Sequence, residues 1–158
     1  MRSVRFAAFV GITAVVAMMG AGVAWSEDAE AVIKTRQDTM KAQSKALAAV
    51  KAFVEGKGEL AAAQAAGPIL VADIGKIPGL FPPKTGMAEF PGKSWAKPEV
   101  WGDHAKFLAE AKTAEEKAKA LEAALKSGDK GKIEAAFADM GKNGCAGCHT
   151  PFREKKPA

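Results

Sequence analysis

The sequence contains no tyrosine, and its 158 residues include only two histidines and two cysteines. No run of alternating β-branched residues occurs, which argues against a sheet. Lysine and glutamate alternate along the chain instead of forming basic blocks, so no nucleic-acid-binding surface is expected. No cluster combines an acid, a base and a nucleophile in the way that a catalytic site requires. These absences predict an all-α protein that is not an enzyme and does not bind nucleic acid.

The first 26 residues predict that the protein is exported. MRSVR is short and positive, an apolar run follows it from Phe6, and GAGVAWS is rich in small residues, as in a cleavable signal peptide. Cleavage is expected after Ser26 or, alternatively, after Ala24, and removal of Arg2 and Arg5 would lower the formal charge from +5 to +3. An uncleaved membrane anchor is the alternative, because the apolar run is just long enough to span a bilayer. The preferred interpretation is a periplasmic domain of residues 27–158 without stable membrane insertion.

The remaining sequence is rich in Ala, Lys, Glu and Leu and predicts four amphipathic helices. They are expected at residues 28–55, 59–77, 98–127 and 129–154. Pro68 is expected to kink or restart the second helix, and Asp129 to cap the fourth. The Pro- and Gly-rich stretch 78–97 is expected to be a long irregular loop. Because the other connections are short, the pattern favours an antiparallel four-helix bundle.

The most specific motif is Cys145-Ala146-Gly147-Cys148-His149, which has the CxxCH spacing of haem c attachment. Residues three apart share one face of a helix, so both thiols can form thioethers with the vinyl groups of one porphyrin. The next residue, His149, can then ligate the iron. Ala146 and Gly147 are small and are expected to let the macrocycle approach the backbone.

Three other interpretations of this motif are weaker. A zinc site needs a fourth ligand, which only His104 or a carboxylate could supply. A thioredoxin-like redox pair needs a βαβ setting, and none is predicted. A disulfide is the default state of exported cysteines, but it explains neither His149 nor the small residues before it. The sequence therefore predicts one haem c, held through Cys145 and Cys148.

A second axial ligand is expected from upstream, because only nine residues follow His149. The candidates outside the signal peptide are Met40, Met87, Met140 and His104. Met140 lies on the motif's own helix, too close to reach across the porphyrin, and Met87 lies in the loop. A helical histidine such as His104 is more often a packed or surface residue than a ligand. Met40 is preferred, because it repeats at a spacing of seven with Ile33 and Leu47 on the apolar stripe of the first helix.

Three stretches together resemble the class II c-type cytochromes, the cytochrome c′ family. They are GKNGCAGCHTPFREK near the C-terminus, KPEVW at residues 97–101 and RQDTM at residues 36–40. The resemblance covers residues 27–158 and implies a four-helix bundle with haem on the last helix. It implies that Cys145 and Cys148 link the haem and that His149 is the proximal ligand. It also implies that Arg153 tunes the imidazole from one turn further along.

The same resemblance places Arg36 against a haem propionate, where a guanidinium can form a paired contact. Met40 occupies the distal position that divides the family into two branches. In one branch the iron is five-coordinate and binds nitric oxide or carbon monoxide. In the other a methionine ligates the iron, and the protein carries electrons between redox partner proteins. We expect the His/Met-ligated electron carrier, with the gas-binding form as the alternative; a peroxidase is disfavoured because His104 is the only other histidine.

Family members are often homodimers that pair through their first two helices. The corresponding helices of this chain are rich in alanine, which permits a close contact between two copies. A homodimer is therefore possible on sequence grounds, through a face that carries Ala46, Ala48, Ala49, Ala61, Ala62 and Ala65.

Overall fold

The structure, a computed structural model, describes residues 21–155, with side chains from residue 28 onwards. Most of the predicted signal peptide, residues 1–20, lies outside these described residues. The two expected cleavage positions, Ala24 and Ser26, fall at the beginning of the first helix. Among the helices described, none combines the length and the apolar character that crossing a bilayer requires.

Between residues 21 and 155 the chain is helical, and its only β-type pairing is an isolated bridge between Ala96 and Arg153. The α-helices are α1 (Ala21–Val54), α2 (Leu60–Gly75), α3 (Glu99–Gly102), α4 (His104–Ser127), α5 (Lys130–Asp139) and α6 (Ala146–Phe152). A 3₁₀ turn spans Ile77–Leu80, and a π-helical segment, Met140–Cys145, joins α5 to α6. Helix α1 packs on α2, α2 on α4, α4 on α5 and α6, and α5 on α1, which closes the ring of a four-helix bundle. The predicted fold is confirmed.

Apolar residues at helical spacing fill the centre of the bundle. Burial of a large aliphatic or aromatic side chain contributes roughly 1.5–3 kcal/mol, so a few fully enclosed residues account for much of the stability. The largest side chains that are almost completely buried are Phe107, Leu70, Leu121, Leu125, Ile133 and Met140.

The third predicted helix, residues 98–127, is interrupted near its beginning. Asp103 leaves the helical region with φ −125° and ψ 58°, and its side chain accepts a hydrogen bond from the backbone N–H of Lys106. This is the geometry of an N-cap, which competes with continuation of the preceding turn. The chain therefore forms the single turn α3 and starts again as α4. Asp129 caps α5 in the same way, through the N–H of Lys132, as predicted.

Pro68 does not restart α2, which runs without a break from Leu60 to Gly75. The residue is exposed, so its ring projects away from the core. Its neighbour Gly67 is buried against α4, where a Cβ atom would lie 2.9 Å from Cγ of Glu122. Gly67 therefore allows α2 to approach α4 closely, while Pro68 lies on the solvent-facing side of the same helix.

The fourth predicted helix, residues 129–154, contains a change of helix type. Within Met140–Cys145 the backbone hydrogen bonds join residues five positions apart. For example, the N–H of Ala146 bonds to the carbonyl of Gly141. Gly141 and Gly144 have low α-helical propensity, and π-helical turns often occur at functional sites. Because the wider turn rotates α6 relative to α5, it determines which way the CxxCH motif faces.

Candidate haem site

A cavity of about 310 Å³ lies between α1, α4, α6 and the long loop. Its volume falls at the lower end of the ~300–1,000 Å³ of typical small-molecule sites. The cavity wall is formed mostly by apolar side chains, with a few polar groups on α1 and α6. The lining residues are Ile33, Arg36, Gln37, Met40, Lys41, Ile77, Phe81, Ser94, Trp95, Ala96, Phe107, Cys148, His149, Phe152 and Arg153.

Helix α6 supplies the groups that the motif predicts. Cys148 and His149 line the cavity, and Cys145 packs half-buried against the adjoining core. Burial lowers the pKa of His149 to about 4, with Arg153 adding to the effect, so the imidazole is neutral at neutral pH. The neutral form is the one that ligates a metal. Burial, with smaller effects of Glu110 and Cys145, raises the pKa of the Cys148 thiol to about 11, and no disulfide joins Cys145 to Cys148.

The two residues between the cysteines have different surroundings. Gly147 faces α4, where an added Cβ atom would lie 3.0 Å from Oε2 of Glu110. Ala146 is exposed. The glycine therefore allows α6 to approach α4 closely, which is a packing role that the sequence pattern does not reveal.

Met40 is the distal candidate that the structure places in the cavity. It is half-buried and packs against the apolar core from α1. His104 and Met87 line a separate cleft of about 700 Å³ between the loop and α3. Met140 is buried below the motif, with its sulfur close to Gly144. Of the four upstream candidates, only Met40 shares a cavity with His149.

Arg36 is buried, with 6% of its surface exposed, and binds the long loop. Nε donates to the carbonyl of Leu80 at 2.9 Å, and Nη2 donates to Oγ1 of Thr85 at 2.7 Å. Nη1 donates to the carbonyl of Thr85 and to Oγ of Ser94, and the guanidinium lies 3.9 Å from the ring centre of Phe81. These contacts are not predictable from the sequence, because nothing in the residue pattern of the loop marks Thr85 and Ser94 as buried.

The environment of Arg36 fits a haem carboxylate. Burial lowers the pKa of Arg36 to about 10, so the side chain is still charged at neutral pH. No carboxylate of the described chain pairs with it, whereas a buried charge ordinarily requires a counter-charge. A propionate at the cavity wall would supply one. Together with the cysteines and His149 on the opposite side, the residues present therefore fit a haem c.

Arg153 is exposed at the end of α6 and lines the same cavity. Two backbone hydrogen bonds tie this end of the helix to the loop: Lys97 N–H to the carbonyl of Phe152 at 3.0 Å, and Glu154 N–H to the carbonyl of Trp95 at 2.8 Å. The loop is thus joined to α6 on one side and to α1, through Arg36, on the other. It closes one edge of the cavity.

Comparison with known proteins identifies the family. The family model described as Cytochrome C′ matches residues 31–153. The chain is 35% identical over 127 residues to a cytochrome c′ of Pararhodospirillum photometricum, covering 79% of this chain and 98% of the relative. A cytochrome c′ of Rubrivivax gelatinosus is 36% identical over 125 residues, which are 78% of this chain and 94% of the relative.

The chain belongs to the cytochrome c′ family. It carries one covalently bound haem c, as the motif predicts. Two solved structures extend the comparison. A nitric oxide complex of a single-residue mutant of cytochrome c′ from Alcaligenes xylosoxidans is similar with a TM-score of 0.69 and 27% identity, covering 80% of this chain and 97% of that one. A cytochrome c′ with ligand-controlled dimer dissociation has a TM-score of 0.73 and 25% identity, with the same coverage of both chains.

The prediction of a His/Met-ligated electron carrier is wrong. The relatives are cytochromes c′, and one of them is solved with bound nitric oxide. They match the alternative, the open-faced branch. The physical reason for the error is that a methionine at the distal position is compatible with both branches. In the structure Met40 has the contacts of a packing residue on the core of the bundle.

Proposed function

We propose that the mature protein is a five-coordinate haem c protein that binds nitric oxide or carbon monoxide at an open distal face, and that it is not an enzyme. The main support for the proposal is that His149 on α6 and Met40 on α1 line the same cavity. His149 is the axial ligand in this proposal, and Met40 packs above the opposite face without ligating iron.

The chemistry of the cavity suits a small uncharged ligand. Ile33, Ile77 and Phe107 form much of its wall, and a diatomic gas has no charge to desolvate on entry. The one buried cation among the described side chains, Arg36, already donates hydrogen bonds to the loop. Thioether side chains are unbranched and flexible, so Met40 can give way to a ligand of two atoms.

Absorption spectra of the ferric and ferrous protein, with and without carbon monoxide, test this proposal. We expect a high-spin spectrum that changes on adding carbon monoxide. Met40→Ala should leave the spin state unchanged and bind the gas more tightly, because it removes bulk from the distal face. Met87→Ala, in the separate cleft, is the matched control and should have no effect. A low-spin wild type that becomes high-spin in Met40→Ala would overturn the proposal.

We also propose that the mature protein is periplasmic. The support is the charged, apolar and small-residue segments of the first 26 residues. N-terminal sequencing of protein released by osmotic shock should find a chain that begins at Glu27, or at Trp25 if cleavage follows Ala24. Retention in the membrane fraction with Met1 intact would contradict export by signal cleavage.

Finally, we propose a homodimer through α1 and α2. Ala61, Ala62 and Ala65 are exposed on α2, and Ile69, with 47% of its surface exposed, continues the same helix. Ala46 does not belong to this face, because it is buried in the core. Sedimentation analysis should show a dimer for the wild type and a monomer for Ile69→Glu. Leu108→Glu, at an exposed position of α4, is the control and should remain dimeric.

A further inference from the structure

Gln43 on α1 has a buried hydrogen-bond donor without a partner. Its Nε2 atom is shielded from solvent and bonds to no group of the described chain. It is the only side-chain nitrogen or oxygen atom in that part of the molecule with this property. Buried polar groups are almost always hydrogen-bonded, and an unsatisfied donor costs about 1–3 kcal/mol. The position therefore calls for a partner that is not part of the polypeptide.

The place of Gln43 in α1 indicates where that partner lies. Met40, three residues earlier, lines the haem cavity, and side chains three apart on a helix are neighbours, with Cβ atoms about 5–6 Å apart. Further along the same side of the helix, Ala46 and Val50 are buried in the core. Gln43 is not itself among the residues that line the cavity, but it lies on the inward-facing side of α1, next to Met40, which is.

The other two glutamines of the chain show that the unpaired amide is particular to this position. Gln37, also on α1, donates to the carbonyl of Lys93. Gln64 on α2 donates to the carbonyl of Leu125 at 2.9 Å. Both amides have a backbone acceptor, whereas the Gln43 amide has none within the described chain.

We propose that Gln43 donates a hydrogen bond to a diatomic gas bound on the distal side of the haem. This inference rests on the proposed gas-binding function and assigns a specificity-determining residue to it. Bound carbon monoxide or nitric oxide presents its outer oxygen as an acceptor. Hydrogen-bond donors in a distal pocket help to decide which ligands a haem prefers. An amide supplies the donor without a charge that would have to be desolvated.

Vibrational spectroscopy of the ferrous holoprotein with carbon monoxide as the probe tests the proposal. A donor polarises the bound gas and lowers its C–O stretching frequency, so Gln43→Leu should raise this frequency. Carbon monoxide should also dissociate roughly two- to tenfold faster, which corresponds to loss of one hydrogen bond of ordinary strength. Gln64→Leu is the matched control, since Gln64 lies outside the cavity lining and its amide is already bonded to the carbonyl of Leu125, and its C–O frequency should equal that of the wild type.

Two further measurements do not use the C–O frequency. Gln43→Leu should be at least as stable to urea as the wild type, because an apolar replacement removes an unsatisfied donor. In the wild type, the side-chain amide resonances of Gln43 should shift when carbon monoxide is added, and those of Gln64 should not. A Gln43→Leu protein that binds carbon monoxide with an unchanged C–O frequency would overturn this inference alone. A wild type whose spectrum does not respond to carbon monoxide would overturn the proposed function as well.

Discussion

Arg36 places a buried positive charge on the helix that forms the distal wall of the haem cavity. A guanidinium has five N–H donors, and the loop accepts four hydrogen bonds from this one. One donor on Nη2 is left for a haem carboxylate. Sequence resemblance indicates a role toward the haem, but it cannot show the loop contacts, because the partners lie 44 to 58 residues further along the chain. At the scale of residues, positions within a motif are predictable and long-range partners are not.

Thr85→Val tests the role of this buried network. The substitution conserves the shape of the side chain and removes the Oγ1 acceptor of Arg36 Nη2, which leaves a buried charged group less well satisfied. We expect the free energy of unfolding to fall by about 1–3 kcal/mol, measured by urea denaturation of the holoprotein. Thr35→Val, on the exposed side of α1, is the control and should change it by less than about 0.5 kcal/mol. Equal stabilities of the two variants would contradict the assigned role.

The fourth predicted helix, residues 129–154, shows what the spacing of apolar residues can and cannot predict about a helix. Apolar spacing and the Asp129 cap predict its existence and its beginning, and both are confirmed. The π-helical segment Met140–Cys145 is not predicted, because the spacing of apolar residues does not distinguish hydrogen bonds between residues four apart from those between residues five apart. The turn that orients the haem-binding motif is therefore visible only in the structure.

Two glycines in this segment allow a matched test. A Cβ atom on Gly144 would lie 3.0 Å from Sδ of the fully buried Met140, whereas one on Gly141 would have no neighbour within 4 Å. Both changes to alanine gain helical propensity of up to about 1 kcal/mol. We expect Gly141→Ala to be neutral or stabilising in urea denaturation and Gly144→Ala to be less stable than Gly141→Ala by about 1–3 kcal/mol, a typical cost of overpacking. Variants of equal stability would show that Met140 is free to move aside.

For the whole molecule, amphipathic stripes and short connections were sufficient to predict the bundle, and the spacing of Cys145, Cys148 and His149 to predict its haem. The coordination state of the iron was not predictable in the same way. It depends on whether Met40 reaches the metal or only packs, and residue identity is the same in both cases. The path of the loop could not be predicted from the sequence either. It is fixed by backbone hydrogen bonds between residues 95–97 and 152–154, and a residue pattern does not show such long-range pairs.

The bundle should depend on its haem, since the cavity separates three of its helices and one wall carries a buried charge. Replacing both Cys145 and Cys148 by serine prevents thioether formation, and the haem-free protein can then be compared with the wild type in urea. At about 24 cal/mol per Å³ of retained space, a cavity of about 310 Å³ costs at most about 7 kcal/mol, and collapse of its walls reduces this value. Arg36 would lose its counter-charge at the same time. We therefore expect a clearly lower midpoint of unfolding for the serine variant, whereas His104→Ala, in the separate cleft, should unfold like the wild type. A haem-free chain as stable as the wild type would mean that α1, α4 and α6 pack together without the haem between them.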